Sequence, residues 1–291
     1  MTEKLIPADV VEIVRTHFKR DFEFTFAGWP HGQSMTWRAT DDSGPAMYVK
    51  VHAEPYLYQR HTQAYELWVP HLPCRTPELL FADANLLLLV FAELPGAPLE
   101  NVALPLDLEL LAYETGGRVA SVFHELPASP NEQPGDPGEA AVQRMRDLIE
   151  RAAGLIDDDT LRWVESVGMD PAVFAGEQLV PCHRDYSPRN WLVAENDGGL
   201  DWSLIDFERA RHDFMYFDFQ RMWPDHWRDR PDRRAAFFRG YGRELTKDEE
   251  HRLRLTVLRT CVGTVSWART NGDPAFEAWA RQTIERLRRE W

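Results

Sequence analysis

The dominant period of the hydrophobic pattern differs between the first and second parts of the chain, and this difference limits the folds that the 291 residues can adopt. Early in the chain apolar and polar residues alternate, in DFEFTFAG, SMTWRAT and AMYVKVHA. Later, apolar residues recur at helical spacing, over 106–125, 139–153 and 158–168. A period of two indicates strands, and a period near 3.6 indicates helices. We therefore predict a β-rich first part followed by an α-rich second part.

The first part contains the signals of a small antiparallel sheet. We predict a helix over 6–18, strands separated by the turn-forming sequence DDSG, a helix over 56–69, and two further strands around a turn at Asp83–Asn85. These elements predict a five-stranded sheet with one or two helices in a lobe over 1–95. The Pro- and Gly-containing stretch ELPGAPLE suggests a hinge at 92–100, and a mainly helical lobe would then span 101–291.

Composition excludes several classes of function. A net charge of −14 argues against binding to nucleic-acid phosphates, which requires a basic surface. The longest apolar run, LLLLVFA at 86–92, is too short to cross a bilayer, and no signal-peptide pattern is present at the start. The few cysteines, Cys74, Cys182 and Cys261, suit a reducing compartment. We therefore expect a cytoplasmic protein that does not bind membranes or nucleic acid.

Lys50 is a candidate for binding phosphate. It lies in the alternating stretch AMYVKVHA, and only four of the 33 basic residues of this chain are lysines. An exposed strand lysine is the ordinary alternative. A lysine held on a strand can also act as a point charge on nucleotide phosphates.

The stretch PCHRDYSPRNWLV, residues 181–193, carries polar groups of the kind used in phosphoryl transfer. Asp185 can orient a hydroxyl and accept its proton, whereas Asn190 offers an amide oxygen. Asp206 follows sixteen residues after Asn190, in the segment LIDFERA. Amide and carboxylate oxygens suit Mg²⁺, which prefers few protein ligands. A polar loop formed by chance would explain the first motif alone, but it does not explain the whole set together with Lys50.

The chain resembles the aminoglycoside phosphotransferase family of small-molecule kinases. CHRDYSPRNWLV is similar to the family loop H-G-D-x₄-N, and LIDFERA is similar to its I-D-[WF]-E segment. HDFMYFDF resembles the following D-P-x-x-D-L element, and LLLVFAELPGAPL resembles the hinge. The resemblance implies an α+β, protein-kinase-like bilobal fold with an N-terminal antiparallel sheet and a mainly α-helical C-terminal lobe.

The resemblance also implies roles for individual residues. Asp185 would be the catalytic aspartate, and Asn190 and Asp206 would hold Mg²⁺. Lys50 would contact the α- and β-phosphates of ATP or GTP. Asp218 would brace the catalytic loop, a structural role.

Other parts of the nucleotide site are implied less directly. The main chain at Ala92 and Leu94 would bind adenine, with Phe91 behind it. Ser34 and nearby N–H groups could reach a phosphate, although GWPHGQSMTWR lacks a G-x-G-x-x-G pattern and a plain hairpin explains it equally well.

The glutamate partner of Lys50 is the weakest correspondence. The family's glutamate falls at Thr62 in this sequence. Glu66 lies one helical turn later and could substitute for it, the pair could be absent, and Glu54 is a further possibility.

Two departures from the family bear on function. Arg184 stands where the family usually has glycine. H-R-D is also the protein-kinase motif, whose arginine often meets an activation-loop phosphate. Only a short segment separates Asp206 from Asp218, which leaves little room for such a loop. A protein substrate is therefore disfavoured.

The expected function is transfer of the γ-phosphoryl group of ATP or GTP to a hydroxyl of a small molecule, with Mg²⁺ as cofactor. The family suggests an antibiotic acceptor: an aminoglycoside, another sugar-bearing antibiotic or a nucleoside antibiotic. The alternatives are a metabolic kinase acting on choline, homoserine or a sugar, and an inactive nucleotide-binding regulator. Candidate walls of the acceptor pocket lie in 126–139, 157–159 and 215–227.

Overall fold

The structure is a computed structural model that describes residues 4–29, 34–42, 44–127, 136–197 and 199–291. The chain divides into two compact units. Unit 1 comprises residues 1–103 together with 188–210, and unit 2 comprises 104–187 together with 211–291. The sequence prediction placed the whole of 101–291 in one lobe, so the inclusion of 188–210 in unit 1 is a finding of the structure.

Unit 1 is built on the predicted five-stranded antiparallel sheet, which is confirmed. The strands are β1 (Glu23–Phe26), β2 (Ser34–Thr40), β3 (Met47–His52), β4 (Leu79–Asp83) and β5 (Leu88–Ala92). Their order across the sheet is β1-β2-β3-β5-β4. On one face, Val49 and Val90 pack against Val10 and Val14 of helix α1 (Ala8–Phe18). Because side chains alternate along a strand, Lys50 lies on the opposite face from Val49.

Helix α2 (Pro55–Leu67) follows β3 and ends earlier than predicted. A short 3₁₀ turn, Val69–His71, replaces the last predicted turn, because Pro70 cannot donate an N–H bond within an α-helix. The rest of unit 1 is a second, three-stranded sheet of β6 (Ala97–Pro98), β8 (Trp191–Asn196) and β9 (Gly199–Leu204). In the β8–β9 hairpin Trp191 pairs with Leu204.

Unit 2 is mostly helical, as predicted. Its helices are α3 (Leu106–Glu125), α4 (Pro137–Ala152), α5 (Asp158–Gly168), α6 (Tyr216–Phe219), α7 (Pro231–Tyr241), α8 (Lys247–Asn271) and α9 (Pro274–Glu290). Strands β7 (Val180–Cys182) and β10 (Arg211–Asp213) form a two-stranded antiparallel sheet. Helix α4 begins two residues before the prediction, because Asp136 caps it and Pro137 occupies its first turn.

Two glycines bring α3 and α7 unusually close together. A Cβ atom at Gly117 would lie 1.9 Å from the carbonyl oxygen of Phe237, and one at Gly240 would lie 1.8 Å from that of Glu114. Since no side chain fits at either position, the two backbones pack directly on each other. Among the described residues, no helix is both long and apolar enough to span a bilayer.

Candidate active site

Lys50 is held between two carboxylates in unit 1. Its Nζ donates to Asp206 Oδ1 at 2.6 Å and lies 2.9 Å from Glu208 Oε2. The side chain of Lys50 is 9% exposed, so this is a buried cation. Burial lowers its pKa, but Asp206 and then Glu208 outweigh burial, and the pKa of Lys50 is raised above its usual value. Lys50 therefore stays charged, as a group that neutralises phosphate must.

Glu208 is the partner that the sequence analysis missed. It lies in the 3₁₀ turn Phe207–Arg209, directly after Asp206, and its Oε2 accepts a hydrogen bond from Ser34 Oγ at 2.5 Å. Glu66, the predicted partner, is exposed on α2, and the carboxylates in contact with Lys50 are those of Asp206 and Glu208. The available signal was the acid two residues after Asp206 in LIDFERA.

A pair of buried histidines lies beside this ion cluster. His52 Nε2 is 4.0 Å from Glu208 Oε2 and 3.0 Å from His61 Nδ1. Burial, followed by the charge of Lys50, lowers the pKa of His52. The histidine is therefore neutral near pH 7 and adds no positive charge to the Lys50 cluster.

The β8–β9 hairpin places Asn190 and Asp206 at the same end of the sheet. Asn190 immediately precedes β8, and the N–H of Ile205 donates to the Asn190 carbonyl at 3.1 Å. Asp206 adopts a left-handed conformation with φ 69°, which is uncommon for a residue with a Cβ and is often found at functional sites. Its side chain is 32% exposed. An amide and a partly exposed carboxylate at one hairpin end are hard oxygen donors, so these residues fit a Mg²⁺ ion.

The predicted nucleobase contacts lie on β5 and just after it. The N–H of Ala92 donates to Glu78 O at 2.9 Å within the sheet, so a contact from Ala92 to a base would come from its carbonyl oxygen. Phe91 is buried, and its ring stacks on that of His61 at 5.0 Å between centroids. Leu94 is half-buried in the connector after β5. In the segment GWPHGQSMTWR, residues 30–33 lie outside the described residues. Ser34 begins β2.

In unit 2 the loop that contains Asp185 is held by Asp218 of α6. The Asp218 carboxylate accepts hydrogen bonds from the N–H groups of His183, at 3.0 Å, and Arg184, at 2.5 Å. His124 Nε2 lies 3.1 Å from the same carboxylate. His183 is fully buried, and its Nδ1 accepts from the N–H of Asp185 at 3.3 Å. The backbone before Asp185 is therefore held by the Asp218 side chain of α6, which His124 of α3 contacts in turn.

Arg184 has an unusual backbone conformation. Its φ is 64°, in the left-handed region that favours glycine, so the glycine that the family resemblance implies at this position would fit without strain. The Arg184 side chain reaches Asp213, with Nε 3.2 Å from Oδ2, and lies over the ring of Phe217. These contacts offset part of the backbone strain.

Three segments were predicted to line the acceptor pocket, and the structure describes all of them except part of the first. Residues 128–135 of the predicted loop lie outside the described residues. In the acidic run, Asp157 caps α5 by accepting from Thr160 N, and Asp159 pairs with Arg288. Trp223–Trp227 forms a π-helical turn in which Trp223 and Trp227 are buried. The acidic run thus has structural contacts, and the two tryptophans belong to the core.

In unit 1 a buried lysine lies beside two carboxylates, and in unit 2 the loop of Asp185 is held by Asp218. Each of these features is of the kind that a small-molecule kinase requires. The chain belongs to the phosphotransferase enzyme family, whose sequence model matches residues 25–255. No curated protein matches the chain in sequence.

The fold is shared with solved antibiotic phosphotransferases. The GDP and kanamycin complex of APH(2")-IIIa has a TM-score of 0.77 at 14% identity, covering 98% of this chain and 99% of that one. Macrolide 2'-phosphotransferase type I has a TM-score of 0.70 at 16% identity, with 98% and 99% covered. ADP-bound APH(2'')-Ib has a TM-score of 0.70 at 14% identity, with 96% and 97% covered. The kinase-like fold predicted from the sequence is therefore confirmed.

Proposed function

We propose that this chain transfers the γ-phosphoryl group of ATP or GTP to a hydroxyl of a small-molecule antibiotic. The observation that carries the proposal is the buried Lys50 cluster. A lysine that remains charged lies beside a carboxylate, and this carboxylate shares a hairpin end with an asparagine. This is the residue set that phosphoryl transfer requires for neutralising phosphate charge.

The nucleotide would be held by unit 1. Lys50 would contact its α- and β-phosphates, Ser34 would reach a phosphate, and the main chain at Ala92 and Leu94 would bind the base beside Phe91. Asn190 and Asp206 would hold Mg²⁺, which, when bound, neutralises charge on the phosphate oxygens.

Asp185 would act on the acceptor. It orients the acceptor hydroxyl, whose oxygen forms a bond to the γ-phosphorus while the bond from that phosphorus to the β–γ bridging oxygen breaks. The nucleoside diphosphate leaves with the electron pair of the broken bond, and the hydroxyl proton passes to the Asp185 carboxylate. Positioning and charge neutralisation account for most of the rate in such reactions.

An antibiotic acceptor is supported by the family and by the neighbours in fold. Solved relatives in fold include a kanamycin complex and a macrolide phosphotransferase, so both amine-rich and sugar-bearing antibiotics are candidates. The net charge of −14 is compatible with a cationic acceptor such as an aminoglycoside. Nucleoside antibiotics complete the set of proposed acceptors.

The test is a mass-spectrometric screen for phosphorylated product. The purified chain is incubated with Mg²⁺ and either ATP or GTP, against panels of aminoglycosides, macrolides, nucleoside antibiotics, choline, homoserine and simple sugars. We expect a product in an antibiotic panel that is heavier than its acceptor by about 80 Da, because one added phosphoryl group contributes roughly that mass. Product only with choline, homoserine or sugars would replace the antibiotic assignment with a metabolic one. No product with any acceptor, despite nucleotide binding, would contradict the kinase proposal.

The role of Asp185 has its own test. Asp185→Asn should lower kcat by a factor on the order of 10²–10⁴, because general base and orienting groups contribute about that much. Nucleotide affinity, measured by calorimetry, should stay near that of the wild type. Asp248→Asn, an exposed acid on α8, is the matched control and should leave kcat unchanged. Turnover of Asp185→Asn near the wild-type value would contradict the catalytic role of Asp185.

A further inference from the structure

Unit 2 contains four arginines grouped around one buried carboxylate. Asp213 of β10 is 2% exposed, and its Oδ2 lies 2.8 Å from an Nη2 of Arg211 and 3.2 Å from Nε of Arg184. Arg259 of α8 and Arg144 of α4 also act on Asp213 electrostatically. We call these four arginines with Asp213 the arginine cluster. The four guanidiniums that act on Asp213 thus outnumber the one carboxylate they share.

The centre of the arginine cluster is short of negative charge. Arg259 is 5% exposed. Burial is the main cause that lowers the pKa of Arg259 to about 9; Asp213 opposes the lowering, and the other three guanidiniums add to it. Arginine is ordinarily charged at any physiological pH. Asp213 therefore offsets only part of the disadvantage of burying the Arg259 guanidinium.

Two donors in the cluster are buried without a partner. Nη2 of Arg259 and Nε of Arg144 are inaccessible to solvent and have no hydrogen-bond acceptor among the described residues. A buried donor that is left without an acceptor is unfavourable, and more so when it is charged. The folded protein therefore retains unsatisfied donors in a place that already has surplus positive charge.

Phe217 fixes the direction of two of these guanidiniums. The guanidinium carbons of Arg184 and Arg259 each lie 4.5 Å from the centroid of the Phe217 ring. An aromatic face attracts the plane of a guanidinium, whereas the N–H groups point outward from the edges of that plane. The ring therefore holds both groups without consuming their hydrogen-bonding capacity.

We propose that the arginine cluster is a binding site for a small phosphate-like oxyanion, separate from the nucleotide site. Guanidinium groups match the geometry of phosphate oxygens, and a bound dianion removes most of the surplus charge. The side chains of Arg184 and Arg211 are 20% and 26% exposed, which gives an anion access from solvent. The proposal does not depend on the phosphotransferase reaction.

Occupation of this site would affect the loop that contains Asp185. Arg184 immediately precedes Asp185, and its own N–H is already held by Asp218. An anion that also fixes the guanidinium of Arg184 would restrain the residue from both its backbone and its side chain. The site is therefore suited to making the conformation of the Asp185 loop depend on the local phosphate concentration.

The experiment is calorimetric titration of the full-length chain with inorganic phosphate. Ionic strength is held constant with sodium chloride, and no nucleotide is present. Arg144→Gln and Arg211→Gln each remove a donor from the cluster. Arg146→Gln removes an exposed arginine two residues along α4 and is the matched control. Lys50→Met reports on phosphate that binds in the nucleotide site instead.

We expect wild type, Arg146→Gln and Lys50→Met to bind phosphate with similar Kd values. Arg144→Gln and Arg211→Gln should each bind roughly tenfold more weakly, since each loses a charge-assisted hydrogen bond. Circular dichroism spectra are recorded for each variant to check that it is folded. Absence of binding to wild type, loss of binding in Lys50→Met alone, or equal affinities of Arg144→Gln and Arg146→Gln would overturn the proposal. The readout is binding, so an inactive but phosphate-binding chain would refute the phosphotransferase proposal alone.

Discussion

The two units each bury a cluster of charges, and the two clusters have opposite sign. In unit 1 the single cation Lys50 lies between the carboxylates of Asp206 and Glu208, which leaves surplus negative charge. In unit 2 the single carboxylate of Asp213 lies among four guanidiniums, which leaves surplus positive charge. Neither group of side chains neutralises itself.

This difference indicates what each cluster is built to accept. Burying unbalanced charge is unfavourable unless a further partner compensates it. The Lys50 cluster, with the amide of Asn190 at the same hairpin end, suits a metal cation. The arginine cluster suits an anion. The sign of the surplus therefore predicts the sign of the missing ligand, and four changes can break or sharpen this contrast.

The largest expected effect is on the stability of unit 2. Asp213→Asn removes the carboxylate that compensates Arg184, Arg211 and Arg259, and it should lower the free energy of unfolding by about 3–5 kcal/mol, because breaking a buried pair leaves charge uncompensated. Urea denaturation measures the loss. Saturating phosphate should restore part of it. Asp159→Asn, which breaks an exposed pair with Arg288, is the control and should change stability little. Equal losses of unfolding free energy in Asp213→Asn and Asp159→Asn would show that Asp213 does not compensate the buried arginines.

Next in size is the loss of the cation from the Lys50 cluster. Lys50→Met leaves two carboxylates facing the proposed phosphate position, and kcat should fall about a hundred- to thousandfold. Steady-state release of nucleoside diphosphate, with the acceptor found by the screen, measures the change. Lys247→Met, an exposed lysine at the start of α8, should have normal turnover. Normal turnover of Lys50→Met would mean that the cluster does not bind phosphate.

A smaller effect distinguishes the two candidate partners of Lys50. Glu208→Gln removes one charge next to Lys50 but keeps an acceptor for Ser34, and kcat/KM for the nucleotide should fall roughly tenfold because Lys50 is less firmly positioned. Glu66→Gln changes an exposed side chain on α2 and should alter kcat/KM by less than about twofold. A larger loss of kcat/KM in Glu66→Gln than in Glu208→Gln would instead make Glu66 the residue that positions Lys50.

The smallest effect concerns the left-handed backbone of Arg184. Arg184→Ala and Arg184→Gly both lose the contact with Asp213, but only alanine keeps a Cβ at a φ of 64°. The glycine variant should therefore be more stable than the alanine variant by about 1–2 kcal/mol in urea denaturation. Equal stability would show that the loop relaxes when the side chain is removed, and that Asp218 does not hold it.

Local periodicity in the sequence was sufficient to predict the sheet. The alternation through Val49 and Lys50 indicates which of the two residues faces the core, and it depends only on neighbours in the chain. Glu208 was missed because a 3₁₀ turn, whose geometry periodicity does not specify, directs its carboxylate towards Lys50.

The arginine cluster could not be predicted from the sequence for a different reason. Arg144, Arg184, Arg211 and Arg259 come from a helix, a loop, a strand and another helix, and more than a hundred residues of chain separate the first from the last. Only tertiary packing, including that of α4 against α8, brings them together in unit 2. Arg184 was noticed as a departure from the family, but its partner Asp213 has no spacing that marks it.

The composition of unit 1 has a consequence for the synthesis of the chain. The last strand of its five-stranded sheet ends at Ala92, whereas Asp206, the carboxylate paired with Lys50, follows Ala92 by 206 − 92 = 114 residues. At roughly 5–20 residues per second, a ribosome needs about 6–23 s to cover that distance. During this interval a nascent chain carries an ammonium group on a formed sheet without its counter-charges. Because synthesis runs from the N-terminus, unit 1 is completed only when a hairpin encoded about two-thirds of the way along the message has been made.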